Sequence, residues 1–168
     1  MIKFTIITCT YNAERVLQRT LDSVKKQTYC NIEHIIMDGG SSDETLSMVR
    51  AYQHKISKGE NAHDIVVVSE PDRGIYHAMN KGVQAATGDW VLFRNAGDYF
   101  FNDRVVADVF AHYADRGEDV IEGGTRCFTA DAYRDKAAAV PTGNVWRDAN
   151  LSHPSAFIRR EALLGNPY

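Results

Sequence analysis

Short apolar runs alternate along this chain with segments whose apolar residues recur at helical spacing. Four runs, at residues 4–8, 32–37, 64–69 and 90–93, are rich in β-branched and aromatic residues, as buried strands are. A helical stripe follows each run, formed in turn by Leu17, Leu21 and Val24; by Leu46, Val49 and Tyr52; by Ile75, Met79 and Val83; and by Val106, Val109, Phe110 and Tyr113. This alternation predicts an α/β fold with a mostly parallel central sheet flanked by helices.

A polar segment follows each predicted strand. These segments are TCTYN at residues 8–12, DGGSSD at 38–43, EPDRGIY at 70–76 and NAGD at 95–98. The carboxyl ends of parallel strands meet at one edge of a sheet, and ligands of open α/β proteins bind at that edge. Four polar strand ends in sequence order therefore predict one shared binding site rather than four unrelated turns.

The size and charge of the chain narrow the class of protein further. Its 168 residues suit one domain with a sizeable core. The net charge of −3 gives no global basic field for nucleic acid. Three widely spaced cysteines do not suggest a disulfide framework, and with no signal peptide and no apolar run of about 20 residues they favour a cytoplasmic setting. Residues 120–121 are expected to begin a fifth strand. Residues 126–150 are expected to form an irregular excursion or lid.

Asp38 ends a strand rich in isoleucine, where a carboxylate is costly unless it has a partner. Two interpretations stay open. Asp38 is either a turn residue that caps the next helix or a carboxylate that accepts hydrogen bonds from a nucleobase or ribose. Gly39 and Gly40 permit a backbone path that larger residues resist. Ser41 and Glu44 have the spacing of a capping box, which predicts that the second helix begins there.

The first and third polar segments also allow two interpretations. Tyr11 is placed to stack on a base and Asn12 to cap the first helix, but residues 8–12 equally suit an ordinary strand-to-helix turn. Asp72 and Arg73 lie just before a predicted helix N-terminus, which favours an anion. Arginine binds phosphate through two parallel hydrogen bonds. A solvated turn is the alternative.

Asp98 follows a predicted strand and two small neighbours, Ala96 and Gly97, that let a ligand approach closely. A carboxylate at such an edge suits Mg²⁺ or Mn²⁺, because magnesium sites commonly use one or two protein carboxylates and complete the shell with phosphates and water. Helix capping is the alternative role. A lone histidine such as His153, which precedes Pro154, is more often structural than catalytic.

Several classes of enzyme are disfavoured because their motifs are missing from the sequence. No GxGxxG segment points to a dinucleotide-binding oxidoreductase, and no GxxxxGK[ST] segment points to a P-loop enzyme. The chain also lacks a GxSxG nucleophile elbow and any His/Cys cluster with zinc spacing.

Taken together, the polar segments resemble those of the family 2 inverting glycosyltransferases. Residues 6–12 are similar to the opening strand and loop of that family, and residues 36–45 to its aspartate-glycine-serine turn. Residues 70–82 resemble its third signature, and residues 87–98 its approach to the metal motif. The resemblance is strong over about residues 3–112. It implies the GT-A fold, which is the Rossmann-like fold of nucleotide-diphospho-sugar transferases.

The resemblance also implies roles for individual residues. Asp98 would bind Mg²⁺ or Mn²⁺ on the donor diphosphate. His153 would lie near the sugar and the acceptor. The residues implied in donor binding are Thr8, Cys9, Thr10, Tyr11, Asp38, Asp72, Arg73 and Asn95.

Two departures from the family pattern affect the expected chemistry. The family often has Asp-x-Asp before a further Asp at the metal motif, whereas this chain keeps only Asp98, which implies weaker metal affinity. The catalytic base of the family is an Asp or Glu beyond the acceptor segment, and no convincing equivalent precedes Tyr168. Glu161, beside Arg159 and Arg160, is expected to be a surface charge.

The resemblance leads us to expect a metal-assisted, inverting glycosyltransferase of the hexosyltransferase type in polysaccharide biosynthesis. It would move a sugar from a nucleotide-sugar donor, with UDP as the expected nucleotide, to a hydroxyl of a glycan or lipid-linked glycan. The chain would form one domain, with a nucleotide-binding part at residues 1–115 and an incomplete acceptor-side part at 116–168. Peripheral contact with the inner face of the cytoplasmic membrane is implied for a lipid-linked acceptor.

Two alternatives remain. One is a nucleotide-sugar-binding fragment without catalysis, because the base-bearing segment is absent. The other is a nucleotidyltransferase, which also needs phosphates and a metal. Such enzymes carry a Gly-rich, Lys/Arg-containing loop after the first strand, and residues 8–12 lack one.

Overall fold

The computed structural model describes residues 1–57, 63–113, 117–129, 132–138 and 152–168. Strands and helices alternate through most of this length. The strands are β1 (Phe4–Thr10), β2 (Ile32–Asp38), β3 (Asp64–Ser69), β4 (Trp90–Phe93), β5 (Val120–Glu122), β6 (Thr125–Phe128), β7 (Tyr133–Lys136) and β8 (Ala156–Arg159). The helices are α1 (Leu17–Lys25), α2 (Thr45–Ile56), α3 (Ile75–Ala85), α4 (Val105–Tyr113) and α5 (Arg160–Gly165), with a 3₁₀ turn at His153–Ser155 before β8.

Six of the described strands form one sheet in the order β3-β2-β1-β4-β8-β5. The four strands β1 to β4 are parallel, and β8 runs antiparallel to both of its neighbours. The chain moves outward from β1 to β3 and then returns to place β4 on the other side of β1. This reversal opens a crevice at the carboxyl ends of β1 and β4, which is the usual ligand position in a doubly wound sheet.

Helices cover both faces of the sheet. Successive residues of β1 show the division, because Ile6 packs with Phe110 of α4 whereas Ile7 packs with Met79 of α3 on the opposite face. All seven residues of β1 and all seven of β2 are buried, as expected for central parallel strands. A third apolar cluster joins β2 to α1 and α2 and contains Leu17, Leu21, Ile36, Val49, Tyr52 and Ile56. None of the helices within the described residues is long and apolar enough to cross a membrane.

The predicted α/β class and mostly parallel sheet are confirmed, and so are the strands at β1 to β5. The capping predictions were wrong. Helix α1 follows Val16 and α2 follows Glu44, and neither start has a side-chain cap hydrogen bond. Asn12 and Ser41 instead bond to each other's loops, because the ends of β1 and β2 lie side by side.

The segment predicted as irregular contains regular structure. Strands β6 and β7 pair antiparallel within it, from Thr125 opposite Lys136 to Phe128 opposite Tyr133. Residues 130–131 and 139–150 of that segment lie outside the described residues. Strand β8 was not predicted. It joins β4 to β5 and thereby extends the sheet beyond its parallel part.

A buried carboxylate ties the amino-terminal edge of the sheet together. Glu33 of β2 is 3% exposed and accepts hydrogen bonds from Thr5 Oγ1 at 2.6 Å, from Thr87 Oγ1 at 2.6 Å and from the Thr87 backbone N–H at 2.8 Å. Lys3 Nζ lies 3.5 Å from it. Burial alone would raise the pKa of Glu33, but these donors and the lysine charge outweigh burial and lower that pKa.

The lowered pKa of Glu33 makes stability depend on pH. A depressed folded-state pKa contributes stability at neutral pH that is lost as the pH falls below the ordinary value of 4.5 and through the folded pKa. We expect Glu33→Gln to lower the free energy of unfolding at pH 7 by about 2 kcal/mol, since the amide offers a donor where Thr87 also donates. Urea denaturation at several pH values tests this, and the deficit should shrink towards acid pH. Glu161→Gln, at an exposed position, should change little, and an equal deficit at every pH would contradict the prediction.

Candidate donor-binding site

The loops that follow β1 and β2 are joined by hydrogen bonds. The backbone N–H of Gly39 donates to the Thr10 carbonyl at 2.9 Å. Asn12 accepts from the Ser42 backbone N–H at 2.9 Å, and its own N–H donates to Ser41 Oγ at 2.9 Å. Asn12 has a φ of 45°, in the left-handed region that asparagine tolerates better than most residues. The two polar segments therefore form one surface.

Asp38 anchors that surface from below. Its carboxylate is buried, with 2% of the residue exposed, and accepts hydrogen bonds from the Ser41 backbone N–H, from Ser41 Oγ and from Ser69 Oγ at 2.7 Å. Ser69 is the last residue of β3, so this carboxylate joins the ends of two neighbouring strands. In the ligand-free chain Asp38 thus organises the turn after β2, but it does not cap α2, which begins after Glu44.

The side chains of Asp72 and Tyr11 lie close to Gly39. A Cβ added at this position would lie 2.8 Å from Asp72 Oδ2 and 3.4 Å from Cδ2 of Tyr11. The Asp72 carboxylate also accepts from the Gly74 backbone N–H at 2.8 Å, which fixes it at the start of α3. The Tyr11 ring is 64% exposed. Tyr11 and Asp72 therefore form two walls around a backbone that only glycine leaves open.

Arg73 lies beside these walls, on the exposed turn that leads into α3. Its backbone N–H donates to His77 Nδ1 at 3.2 Å. The guanidinium group makes no ion pair within the part of the chain that the structure describes. Helix α3 begins directly after Gly74, whose φ is 113°. An available guanidinium group next to a helix N-terminus is a favourable place for phosphate.

The structure separates the residues of β1 that sequence analysis grouped together. Thr8 is fully buried and its hydroxyl is 2.9 Å from Nε2 of His34, whose Nδ1 is 2.9 Å from the Tyr52 hydroxyl. Cys9 packs in the core beneath α3, and burial together with the Asp72 charge raises the pKa of its thiol to about 12. Thr10 is nearer the crevice, and its buried hydroxyl has no hydrogen-bond partner among the described residues. Of the four residues 8–11, only Tyr11 has an exposed side chain.

The fourth polar segment combines charged groups of both signs. Asp98 is partly buried, which raises the pKa of its carboxyl, although the neighbouring Arg94 charge opposes that shift. Arg94 is 7% exposed and its guanidinium carbon lies 4.2 Å from the centre of the Phe100 ring. Burial lowers the pKa of Arg94 to about 10. Within the described ranges, Arg94 Nε and Asn95 Oδ1 are buried without hydrogen-bond partners.

The loop of residues 95–98 offers few protein ligands for a hard divalent cation. The described residues contain no group of three or more His, Cys, Asp or Glu side chains able to hold a metal ion. Asp98 supplies one carboxylate, and the unpartnered Oδ1 of Asn95 is an oxygen donor on the same loop. Oxygen donors suit Mg²⁺ and Mn²⁺, and a site with one carboxylate takes most of its ligands from phosphates and water.

His153 lies at the start of the 3₁₀ turn before β8, beside the beginning of α3. Its ring centre is 5.0 Å from that of Tyr168 and 6.5 Å from that of Tyr76. Burial lowers the pKa of His153. The backbone of Tyr168 in turn exchanges two hydrogen bonds with the side chain of Asn80 of α3, at 2.9 and 3.0 Å. The histidine therefore belongs to an aromatic group beside the turn that carries Asp72 and Arg73.

Sequence reasoning missed two residues of this edge. Ser69 holds Asp38, and nothing in its local sequence distinguishes it from an ordinary strand-end serine. Arg94 could have been found from the sequence, because an arginine that directly follows the apolar run of β4 lies at the end of a buried strand.

A parallel sheet with a crevice between β1 and β4, and with polar groups gathered at the carboxyl ends of its strands, defines a doubly wound α/β protein. Residues 5–163 match the model of glycosyl transferase family 2. The chain therefore belongs to glycosyl transferase family 2.

Curated relatives and solved structures agree with this assignment. A "PGL/p-HBAD biosynthesis glycosyltransferase" of Mycobacterium bovis is 32% identical over 157 residues, which cover 94% of this chain and 59% of that protein. A mannosyltransferase from Pyrobaculum calidifontis in complex with GDP-Man and Mn²⁺ superposes with a TM-score of 0.73 at 22% identity, over 98% of this chain and 46% of that one.

Staphylococcus aureus TarS in complex with UDP-GlcNAc gives a TM-score of 0.68 at 23% identity, over 98% of this chain and 47% of that one. At these identities the two structures establish the GT-A fold. The chain spans 59% of the length of the mycobacterial relative.

The hydrogen bonds of Asp38 predict a cost that does not depend on any ligand. We expect Asp38→Asn to lower the free energy of unfolding of the ligand-free chain by about 2 kcal/mol, because the amide cannot accept all three hydrogen bonds. Chemical denaturation measures this directly. Asp72→Asn is the matched control and should cost less than about 1 kcal/mol, since Asp72 accepts from one backbone N–H. Unchanged stability in Asp38→Asn would contradict the structural role.

Proposed function

We propose that this chain is the donor-binding part of an inverting glycosyltransferase that uses a nucleotide-sugar, with UDP as the nucleotide. The observation that carries the proposal is the convergence of Tyr11, Gly39 and Asp72 at the carboxyl edge of the sheet, in a chain that belongs to glycosyl transferase family 2. The family assignment supports the reaction class, and the convergence supports the proposed place of the donor.

The nucleoside is proposed to bind between Tyr11 and Asp72. The exposed Tyr11 ring offers a face on which a base stacks, and the Asp72 carboxylate offers acceptors to ribose hydroxyls. Asp38 supports the floor of this pocket and has remaining acceptor capacity for the base. Two of the structural relatives are described with UDP-GlcNAc and with GDP-Man, which supports a nucleotide-sugar donor.

The diphosphate is proposed to extend from the start of α3 towards Asp98. Arg73 would bind phosphate oxygens at the first of these places, and Asp98 with Asn95 would hold Mg²⁺ or Mn²⁺ at the second. When bound, the ion stabilises the negative charge that develops on the leaving diphosphate. Arg94 places a further positive charge beside that position.

The acceptor is proposed to be a hydroxyl of a glycan or lipid-linked glycan, which attacks the anomeric carbon opposite the leaving group. A single displacement inverts the configuration, and the transition state is oxocarbenium-like, as in glycoside hydrolysis. His153 is proposed to contact the sugar or acceptor, and the base that takes the proton to come from a segment beyond Tyr168. In this scheme residues 1–115 form the donor part and 116–168 part of the acceptor side. Peripheral contact with the inner membrane face belongs to the proposal if the acceptor is lipid-linked.

The competing candidate is a nucleotide-sugar-binding fragment without catalysis. It shares the donor pocket and differs only in turnover. Incubating the 168-residue chain with a UDP-sugar and a mixture of neutral glycan acceptors separates the two. Release of UDP that depends on acceptor would establish catalysis by this chain and contradict the proposed position of the base.

UDP with Mn²⁺ is expected to raise the melting temperature by about 5 to 10 °C at a ligand concentration one hundredfold above Kd. Asp98→Asn should abolish the Mn²⁺-dependent part of that shift and keep the part due to UDP alone, because it removes the carboxylate ligand. Differential scanning fluorimetry measures the shift, and the electron paramagnetic resonance signal of free Mn²⁺ measures metal binding directly. Asp103→Asn, at an exposed acidic residue, should behave like the parent chain. A full metal-dependent shift in Asp98→Asn would refute the metal assignment.

Gly39→Ala is expected to weaken UDP binding about tenfold while changing stability little. The new Cβ would lie within 2.8 Å of Asp72 Oδ2, and the flexible carboxylate can move away without disturbing the core. That movement changes the pocket wall. Isothermal titration with UDP measures the affinity, and thermal unfolding measures the stability. Gly165→Ala is the control, because a Cβ there meets no atom within 4 Å. Unchanged UDP affinity in Gly39→Ala would argue against a nucleoside between Tyr11 and Asp72.

A further inference from the structure

Four aromatic rings, three of them exposed, gather from the loop after β4 and the β6–β7 hairpin. They are Tyr99, Phe101, Phe128 and Tyr133, here called the aromatic platform. Phe101 is 74% exposed, Tyr133 60% and Phe128 58%. Tyr99 and Phe128 stack with ring centres 6.0 Å apart, and Phe128 contacts Tyr133 at 6.4 Å. A cluster of large exposed rings marks an interaction site more often than a surface that binds nothing.

A cavity connects the platform to the proposed reaction centre. It has a volume of about 1160 Å³ and its lining includes Asp98, Tyr99, Phe101 and Phe128. This volume is slightly above the range of small-molecule sites, about 300 to 1000 Å³, and leaves room for a sugar. In the proposed function Asp98 marks the donor diphosphate, so a molecule on the platform shares a cavity with that group. The following inference rests on the proposed function.

Charged groups of both signs line the cavity beside the platform: Arg19, Arg94, Arg126 and Lys136, with Asp98 and Asp135. Arg126 lies 4.3 Å above the Tyr133 ring, but its guanidinium group is paired with both oxygens of Asp135, at 2.7 and 2.8 Å. The remaining donors and acceptors of this pair can hydrogen bond to hydroxyl groups. The buried Tyr99 hydroxyl has no hydrogen-bond partner among the described residues, which adds one more polar group at the cavity wall.

We infer that the aromatic platform binds a pyranose ring of the acceptor glycan. One face of a pyranose carries several C–H groups with partial positive charge, and these pack on the negative π-face of an aromatic ring. The hydroxyl groups at the edge of the same sugar require planar polar partners, and Arg126 with Asp135 provides them. Exposed rings beside a charge-compensated pair match both surfaces of a sugar, whereas a lipid surface uses the rings alone.

Saturation-transfer difference NMR on the 168-residue chain tests this inference. The probes are the neutral methyl pyranosides of glucose, mannose and galactose, and the platform predicts transfer to the C–H protons of one ring face. Phe128→Leu and Phe101→Leu should each weaken binding about fivefold, because leucine removes the π-face and keeps an apolar side chain. Phe128→Tyr should retain binding. The inference would be overturned if the parent chain gave no transfer, or if both leucine variants gave as much transfer as the parent chain.

Two further measurements separate this inference from its alternatives. UDP affinity should be unchanged in Phe128→Leu, whereas Tyr11→Leu should weaken UDP binding and leave pyranoside binding intact. Pyranoside binding without any UDP binding would refute the proposed donor site but not the platform, and the reverse result would refute only the platform. Sedimentation with phosphatidylglycerol vesicles that depends on Phe101 and Phe128, in the absence of pyranoside binding, would assign these rings to a membrane and overturn the inference.

Discussion

The carboxylate of Asp38 is the interaction on which the geometry of the carboxyl edge depends. A buried carboxylate is costly unless it accepts hydrogen bonds. Asp38 accepts them from Ser41 of its own loop and from Ser69 of the neighbouring strand. Ser41 in turn holds the loop after β1 through the backbone of Asn12. Three strand ends are thus fixed relative to one another before any ligand binds, which reduces the ordering cost of binding.

Local patterns in the sequence were sufficient for the parallel half of the sheet. The strands β1 to β4 were predictable because each is an apolar run followed by a segment whose apolar residues recur at helical spacing. The partners of Asn12 and Ser41 were not predictable, since both residues carry local capping signals that a contact between distant loops overrides. Strand β8 was missed for a similar reason. It consists of the four residues Ala156–Arg159, and its place between β4 and β5 is set by pairing across the sheet.

The loop around Asp98 shows that a sequence reveals which residue types are present but not whether they are buried. The loss of carboxylates around Asp98 could be read directly. The presence of a buried guanidinium group beside it could not, because its burial depends on Phe100 folding over Arg94. A positive charge next to the single carboxylate reduces the attraction of that carboxylate for a free cation, and it favours the diphosphate itself. In the proposed function, ion and nucleotide therefore bind best together.

The two sides of Asp98 are built differently, and this difference fits different tasks. The donor side rests on β1 and β2, which are buried throughout and joined by short hydrogen bonds between their loops. The platform side rests on β6 and β7, whose pairing lies outside the main sheet and whose side chains are largely exposed. Substitutions on an exposed hairpin cost little stability, while those at the donor edge disturb buried carboxylates. In the proposed function, acceptor recognition can therefore change on the hairpin while the donor edge stays fixed.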